Sequence, residues 1–123
     1  MSSDFKNLVA WQKAMDLVDA VYDVADTFPQ KELYGLTTQI KRAAVSVPSN
    51  ISEGQARFSK PDFRRFLRQA RGSLAEVQTQ LLIAERRKYV PSPKCRDLEA
   101  HVEEVARIIN GLLRSIGDSE QEP

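Results

Sequence analysis

The sequence predicts an all-α protein, an antiparallel four-helix bundle of up-down-up-down topology. Apolar residues recur at alternating spacings of three and four in four stretches of similar length. The segments between them are only a few residues long, which favours antiparallel neighbours over crossover connections. No stretch carries the period-two alternation of a half-buried strand.

The first helix is expected over residues 4–28. Leu8, Trp11, Met15, Val18, Tyr22 and Ala25 form one apolar stripe along it, and Ala14, Leu17, Val21, Val24 and Phe28 form a second stripe beside the first. Together they are wider than the ~100° face one core requires, so a further packing partner, such as another subunit, is expected. Asp16, Asp19, Asp23 and Asp26 make an acidic ridge on the opposite side. Pro29 ends the helix, because the residue before a proline is pushed out of the helical region.

The second helix is expected over 32–54, with Leu33, Leu36, Ile40, Ala44, Val47 and Ile51 inward and Gly54 as its stop. Pro48 lies inside it and removes a backbone donor, so a kink or local opening is expected, with Ser46, Ser49, Asn50 and Ser52 able to satisfy the freed groups. The third helix, 60–88, opens with Ser59 as N-cap, Pro61 in the first turn and Asp62 as the first-turn acid. Phe63, Leu67, Ala70, Leu74, Val77, Leu81 and Ala84 are its core stripe, and Gly72-Ser73 in its middle suggests a close backbone approach. The fourth helix, 93–116, starts at Ser92-Pro93 and carries Leu98, Val102, Val105, Ile109, Leu112 and Ile116 before Gly117 stops it. Residues 1–117 then make one domain, and 118–123 a disordered polar tail.

A hydrophobic content of 41% with 28% charged residues excludes whole-chain disorder. No run approaches the ~18 apolar residues of a membrane span, and no signal-like stretch follows Met1, so a cytoplasmic protein without membrane contact is expected. The single cysteine, Cys95, has no partner for an internal disulfide, and with His101 as the one histidine no zinc site can be assembled; no metal or cofactor is expected.

The net charge of +1 conceals a block. Residues 1–40 hold three Lys/Arg against six Asp/Glu, whereas 41–71 hold eight basic and two acidic residues. The eight are Lys41, Arg42, Arg57, Lys60, Arg64, Arg65, Arg68 and Arg71, of which Lys60, Arg64, Arg68 and Arg71 form one stripe on the third helix. Like charges so spaced repel, and something acidic must face them. One reading has all eight contacting nucleic-acid phosphates, which guanidinium groups bind in bidentate fashion, with Phe58 and Tyr89 as candidate base-stacking rings and Phe66, a third, read as a core residue first. The other pairs the stripe with the Asp16–Asp26 ridge of a neighbouring helix or subunit.

Asn50, Glu53 and Glu76 form a polar group near Pro48, but the sequence supplies no nucleophile with its base, no metal ligands and no glycine-rich phosphate loop. Capping and hydrogen bonding at the proline account for these residues better than catalysis, and no enzyme is expected. His101 falls at the edge of the fourth-helix stripe, and Cys95 reads as a packing residue.

Four strings, in order, resemble one family: Leu8-Val9-Ala10-Trp11-Gln12-Lys13-Ala14; Phe28-Pro29-x-x-Glu32-x-Tyr34-Gly35-Leu36; Gln39-Ile40-Lys41-Arg42-Ala43-Ala44-x-Ser46-Val47-Pro48-Ser49-Asn50-Ile51-Ser52-Glu53-Gly54; and Arg71-Gly72-Ser73-Leu74-Ala75-Glu76. The family is that of the small four-helix-bundle proteins encoded in intervening sequences of bacterial 23S rRNA genes, and the resemblance spans about residues 5–116. It implies a ring-shaped homopentamer, which suits the wide apolar arc of the first helix. A more distant likeness, to the accessory variability proteins of diversity-generating retroelements, implies by analogy a nucleic-acid ligand and a reverse transcriptase as protein partner. The expected function is non-enzymatic nucleic-acid binding, RNA favoured, by a homo-oligomer. The alternative is an oligomeric scaffold or adaptor that docks a protein partner and uses its charges for assembly.

Overall fold

In the computed structural model, which describes residues 4–117, Asp4 accepts the Lys6 backbone N–H at 3.0 Å and closes a 3-10 turn at Phe5–Asn7. The first helix, α1, therefore runs Val9–Ala25, shorter at both ends than the expected 4–28. At its C-terminus the Thr27 hydroxyl and backbone N–H both donate to the Val24 carbonyl, at 2.7 and 3.0 Å, which tightens the last turn before Pro29 is reached.

Residues Gln30–Glu32 form a separate 3-10 turn, and α2 spans Leu36–Ala56. The Glu32 carboxylate delays the helix start by capping it: Oε1 accepts the Leu36 N–H at 3.0 Å. The helix continues through Pro48. Asn50 Nδ2 donates to the Ser46 carbonyl at 2.8 Å, and the Ser46 and Ser52 hydroxyls donate to Ala43 and Ser49 carbonyls at 2.9 and 3.0 Å. These bonds support carbonyls beside the proline and not the Ala44 carbonyl, which is the one that Pro48 leaves without its helical donor.

The third helix, α3, spans Lys60–Arg86 and has the expected cap, Ser59 Oγ accepting the Asp62 N–H at 3.1 Å. It ends in a Schellman arrangement: Lys88 turns left-handed at φ 64°, its N–H meets the Glu85 carbonyl at 2.9 Å, and Tyr89 N–H meets Ala84 at 2.8 Å. The last helix, α4, spans Ser92–Ser115, with Gly117 at φ 96° just beyond it.

Cross-helix bonds fix the order and direction. Along the α3–α4 seam, Arg64 meets Ile116, Arg71 meets Asn110, Gln78 meets Glu99 and Glu85 meets Arg96, so position rises on one helix as it falls on the other. Ser46 bonded to Ser73, with Gly54 against Phe66, gives α2 and α3 the same antiparallel sense. Each helix packs on its sequence neighbours, α1 also packs on α4, and no Cα of α1 lies within 8 Å of one of α3. The result is the antiparallel four-helix bundle that the periodicity predicts, with no strand among the described residues.

The core takes one of the two α1 stripes whole, and of the other it buries Ala25 alone, with Leu8, Trp11 and Val18 packed at its margin. Ala14, Leu17, Val21, Val24 and Phe28 are buried, whereas Met15 and Tyr22 stay 39% and 38% exposed and Leu8, Trp11 and Val18 half-buried. Ile40, Val47 and Ile51 of α2, Leu67, Leu74, Val77 and Leu81 of α3, and Leu98, Val105 and Ile109 of α4 complete the interior. Each such side chain contributes roughly 1.5–3 kcal/mol by leaving water. Leu33, expected inward, is exposed because the helix starts after it.

Two glycines depart from their expected roles. A Cβ on Gly72 would meet nothing within 4 Å, so no close approach explains it; its neighbour Ser73 is the buried contact, bonded to Ser46 and to the Gln69 carbonyl. Gly54 does not stop α2 but lies inside it, where a Cβ would sit 2.8 Å from Phe66 Cβ and 3.1 Å from Phe63 Cδ1. In urea titrations Gly72→Ala is expected to stabilise the fold by about 0.5–1 kcal/mol, and Gly54→Ala to destabilise it by about 1–3 kcal/mol through overpacking.

A second expectation concerns acid. Glu32 accepts from the Leu36 N–H and, through Oε2, from the Tyr89 hydroxyl at 2.8 Å, tying the α1–α2 connection to the α3–α4 turn. These bonds hold its carboxyl below the ordinary value of 4.5. Glu85 is lowered in the same way, first by a hydrogen bond from Ser92 and then by Arg96. A lowered folded-state pKa means stabilisation that is complete above the ordinary carboxylate value and is lost as the pH falls through the depressed one. Melting temperatures measured from about pH 6 down to about pH 3 should fall, and Glu32→Gln should start lower and fall less.

Candidate nucleic-acid interface

Arg64, Arg65 and Arg68 line one open groove of about 580 Å³ on the N-terminal half of α3, together with Pro61 and Gln69. Positions 61, 65 and 69 form one row at helical spacing four, and 64 and 68 form the row beside it, so the periodicity of α3 alone brings the five together. Among the described residues no carboxylate lines the groove; Asp62, one residue from Pro61, holds Arg65 at 3.4 Å. Pro61 and Gln69 could have been found in the sequence by widening the basic stripe by one row.

Two arginines of the stripe also serve the bundle. Arg64 Nη1 donates to the Ile116 carbonyl at 3.2 Å, at the end of α4, where terminal carbonyls lack helical partners and the helix dipole is negative. Arg71 Nη1 donates to Asn110 Oδ1 at 2.9 Å. A guanidinium has five N–H groups, so each keeps donors for another acceptor. Arg68 and Lys60 are exposed.

Arg57 and Arg65 share a different support. Both guanidinium carbons lie over the Phe66 ring, 5.1 and 4.4 Å from its centroid, and Arg57 also pairs with Glu53 at 2.9 Å. Phe66 is buried and so belongs to the scaffold rather than to a stacking surface. Tyr89 is half-buried and bonded to Glu32. Phe58 alone of the three rings is open to solvent, 71% exposed in the α2–α3 turn.

Lys41 and Arg42 stand apart from the groove. Lys41 Nζ is 2.7 Å from Asp26 Oδ1 and 4.7 Å from the Tyr22 centroid, on the α1–α2 side. Arg42 borders a smaller depression of about 310 Å³ with Gln39, Ser46, Glu76 and Gln80. The Ser46–Ser73 register puts Arg42 level with about residue 77, about 14 Å along the axis from Arg68 at 1.5 Å per residue. Six of the eight basic positions thus gather on α3 and the turn before it, and two do not.

The acidic ridge lies on the other corner. Asp26 meets Lys41, but α1 and α3 are diagonal in the bundle, so Asp16, Asp19 and Asp23 do not face the arginine groove within one chain. The polar group at Pro48 is likewise dispersed: Asn50 serves the backbone, Glu53 pairs with Arg57, and Glu76 borders the Arg42 depression. Cys95 is buried beneath α3 with its thiol 3.8 Å from the Leu81 carbonyl, and burial pushes its pKa up. His101 is half-buried. Among the described residues no three His, Cys, Asp or Glu side chains are grouped to hold a metal ion, and no helix is long and apolar enough to cross a membrane.

The sequence profile of the 23S rRNA-intervening sequence proteins matches residues 6–111. The chain belongs to that family. The match takes in α1, α2, α3 and most of α4, and with them every basic position named above. A solved structure of a protein of unknown function from the S23 ribosomal protein family of Bacteroides thetaiotaomicron has the same fold, with a TM-score of 0.80 and 18% identity over 86% of this chain and 99% of that one. No curated protein matches the sequence.

Because Arg64 caps α4, Arg64→Ala should lower the unfolding free energy by about 1–2 kcal/mol in denaturant titrations, whereas the exposed Lys60→Ala should stay within about 0.5 kcal/mol of wild type.

Proposed function

We propose that this family member is a non-enzymatic nucleic-acid-binding protein, with structured RNA its preferred target, acting as a homo-oligomer in the cytoplasm. The observation that carries the reading is the convergence of Arg64, Arg65 and Arg68 on one open groove. Phosphate oxygens suit such a surface: guanidinium groups bind them in bidentate fashion, and counterion release from the polyanion supplies the driving force. Lys60 and Arg57 extend the positive field toward the α2–α3 turn. Guanidinium groups engaged on phosphates position the ligand without reading its bases, so binding is largely independent of sequence.

Self-association is supported by the α1 stripe that the core leaves outside. Trp11, Met15 and Val18 form with Val45 and Pro48 an apolar groove of about 340 Å³ between α1 and α2, continuous through Val45 with a second groove that Tyr22 lines. A ring of copies, five by the family resemblance, would cover that face and repeat the arginine groove around it. The same face favours the second reading, an oligomeric adaptor that docks a protein partner.

Arg65→Gln with Arg68→Gln separates these readings while leaving the Arg64 cap in place. Fluorescence anisotropy with a labelled RNA hairpin, over a salt series, should show at least about tenfold weaker binding and a salt slope shallower by about two. Light scattering should show an unchanged oligomer. Undiminished RNA affinity, or an oligomer that falls apart, would assign the groove to subunit contact and leave the adaptor reading in front.

A further inference from the structure

Phe58 is the one large apolar side chain in the turn between α2 and α3, and two features of it are unfavourable for stability. It is 71% exposed, and its backbone is left-handed at φ 61°, a conformation that glycine or asparagine adopts without the crowding a bulky side chain brings. Its position follows Arg57, the C-cap of α2, where a helix commonly ends on a glycine. Among the described residues no aromatic or cation–π pairing involves its ring, whereas Phe66 nearby lies under both Arg57 and Arg65.

The turn is also held firmly. Ser59 caps α3 on one side, and Arg57 N–H bonds the Gly54 carbonyl at 3.3 Å on the other. Phe58 precedes Pro61, a wall of the arginine groove, by three residues, so the two lie within about 11 Å even for a fully extended chain. That is about three nucleotides of a stacked strand at ~3.4 Å each. Lys60 and Arg57 flank the path between ring and groove.

Resting on the nucleic-acid reading, we infer that Phe58 is a stacking platform for an unpaired nucleobase, and that the site takes single-stranded or looped nucleic acid in preference to a continuous duplex. The phosphates on either side of the stacked base run over Lys60 into the Arg65–Arg68 groove. In a duplex the faces of the bases are already stacked on one another, so a lone ring on a turn gains nothing there, while an unpaired base offers a free π-face. Because every base has such a face, the contact adds affinity without reading sequence.

The test compares oligouridylate with a blunt RNA duplex of equal phosphate count, by anisotropy at one salt concentration, on the intact oligomer. Wild type should bind the single strand more tightly. Phe58→Ala should weaken single-strand binding by about 5- to 100-fold and leave duplex binding unchanged, and Phe58→Trp should retain it. Phe58→Gly, which relieves the left-handed backbone, should lose the same affinity while melting no lower than wild type, which excludes misfolding as the cause. Tighter binding to duplex, or single-strand affinity unmoved in Phe58→Ala, overturns this inference and leaves the groove as a general phosphate site. If neither nucleic acid binds, the inference and the functional reading beneath it both fall.

Discussion

A Cβ on Gly54 would lie 2.8 Å from Phe66 Cβ, so the approach of α2 to the start of α3 depends on a residue with no side chain. That approach buries Phe66, and Phe66 in turn carries the guanidinium groups of Arg57 and Arg65. The junction of the two helices and the ring beneath Arg57 and Arg65 thus share one close contact. Pro48, by contrast, costs the helix a donor without ending it, and serine and asparagine side chains bond the Ala43, Ser46 and Ser49 carbonyls on either side.

The charges are divided by topology. Neighbouring helices of an up-down bundle share seams, and diagonal ones do not. With α1 and α3 diagonal, the acidic ridge cannot neutralise the arginine groove of the same chain, and a single copy presents a negative corner opposite a positive one. The repulsion among the arginines is eased locally instead, by Asp62, Glu53, Asn110 and the end of α4. Three guanidinium groups still open onto one groove. A polyanion or the acidic corner of another copy would complement such a surface.

The outward stripe of α1 presents the same kind of surplus in apolar form. A bundle of four helices closes its core with one stripe from each, and α1 carries two. Met15, Tyr22 and Val45 remain more than a third exposed beside Trp11 and Pro48, so the chain has an apolar face and a basic groove on different corners. Assembly through the first leaves the second available for a ligand.

Helix number, type and approximate extent were legible in the sequence, because spacings of three and four mark one face of a helix whatever it packs against. So were the Ser59 cap, the polar support around Pro48 and the basic block itself, all of which depend on residues close together in the chain. Tertiary structure decided what depends on residues far apart. Which α1 stripe faces inward, which glycine is crowded, how Glu32 reaches Tyr89, and whether Lys41 joins the arginines or Asp26 are all settled by packing between helices. Periodicity gives each helix its faces but not the direction in which they turn, since that is chosen by the fit of all four helices at once.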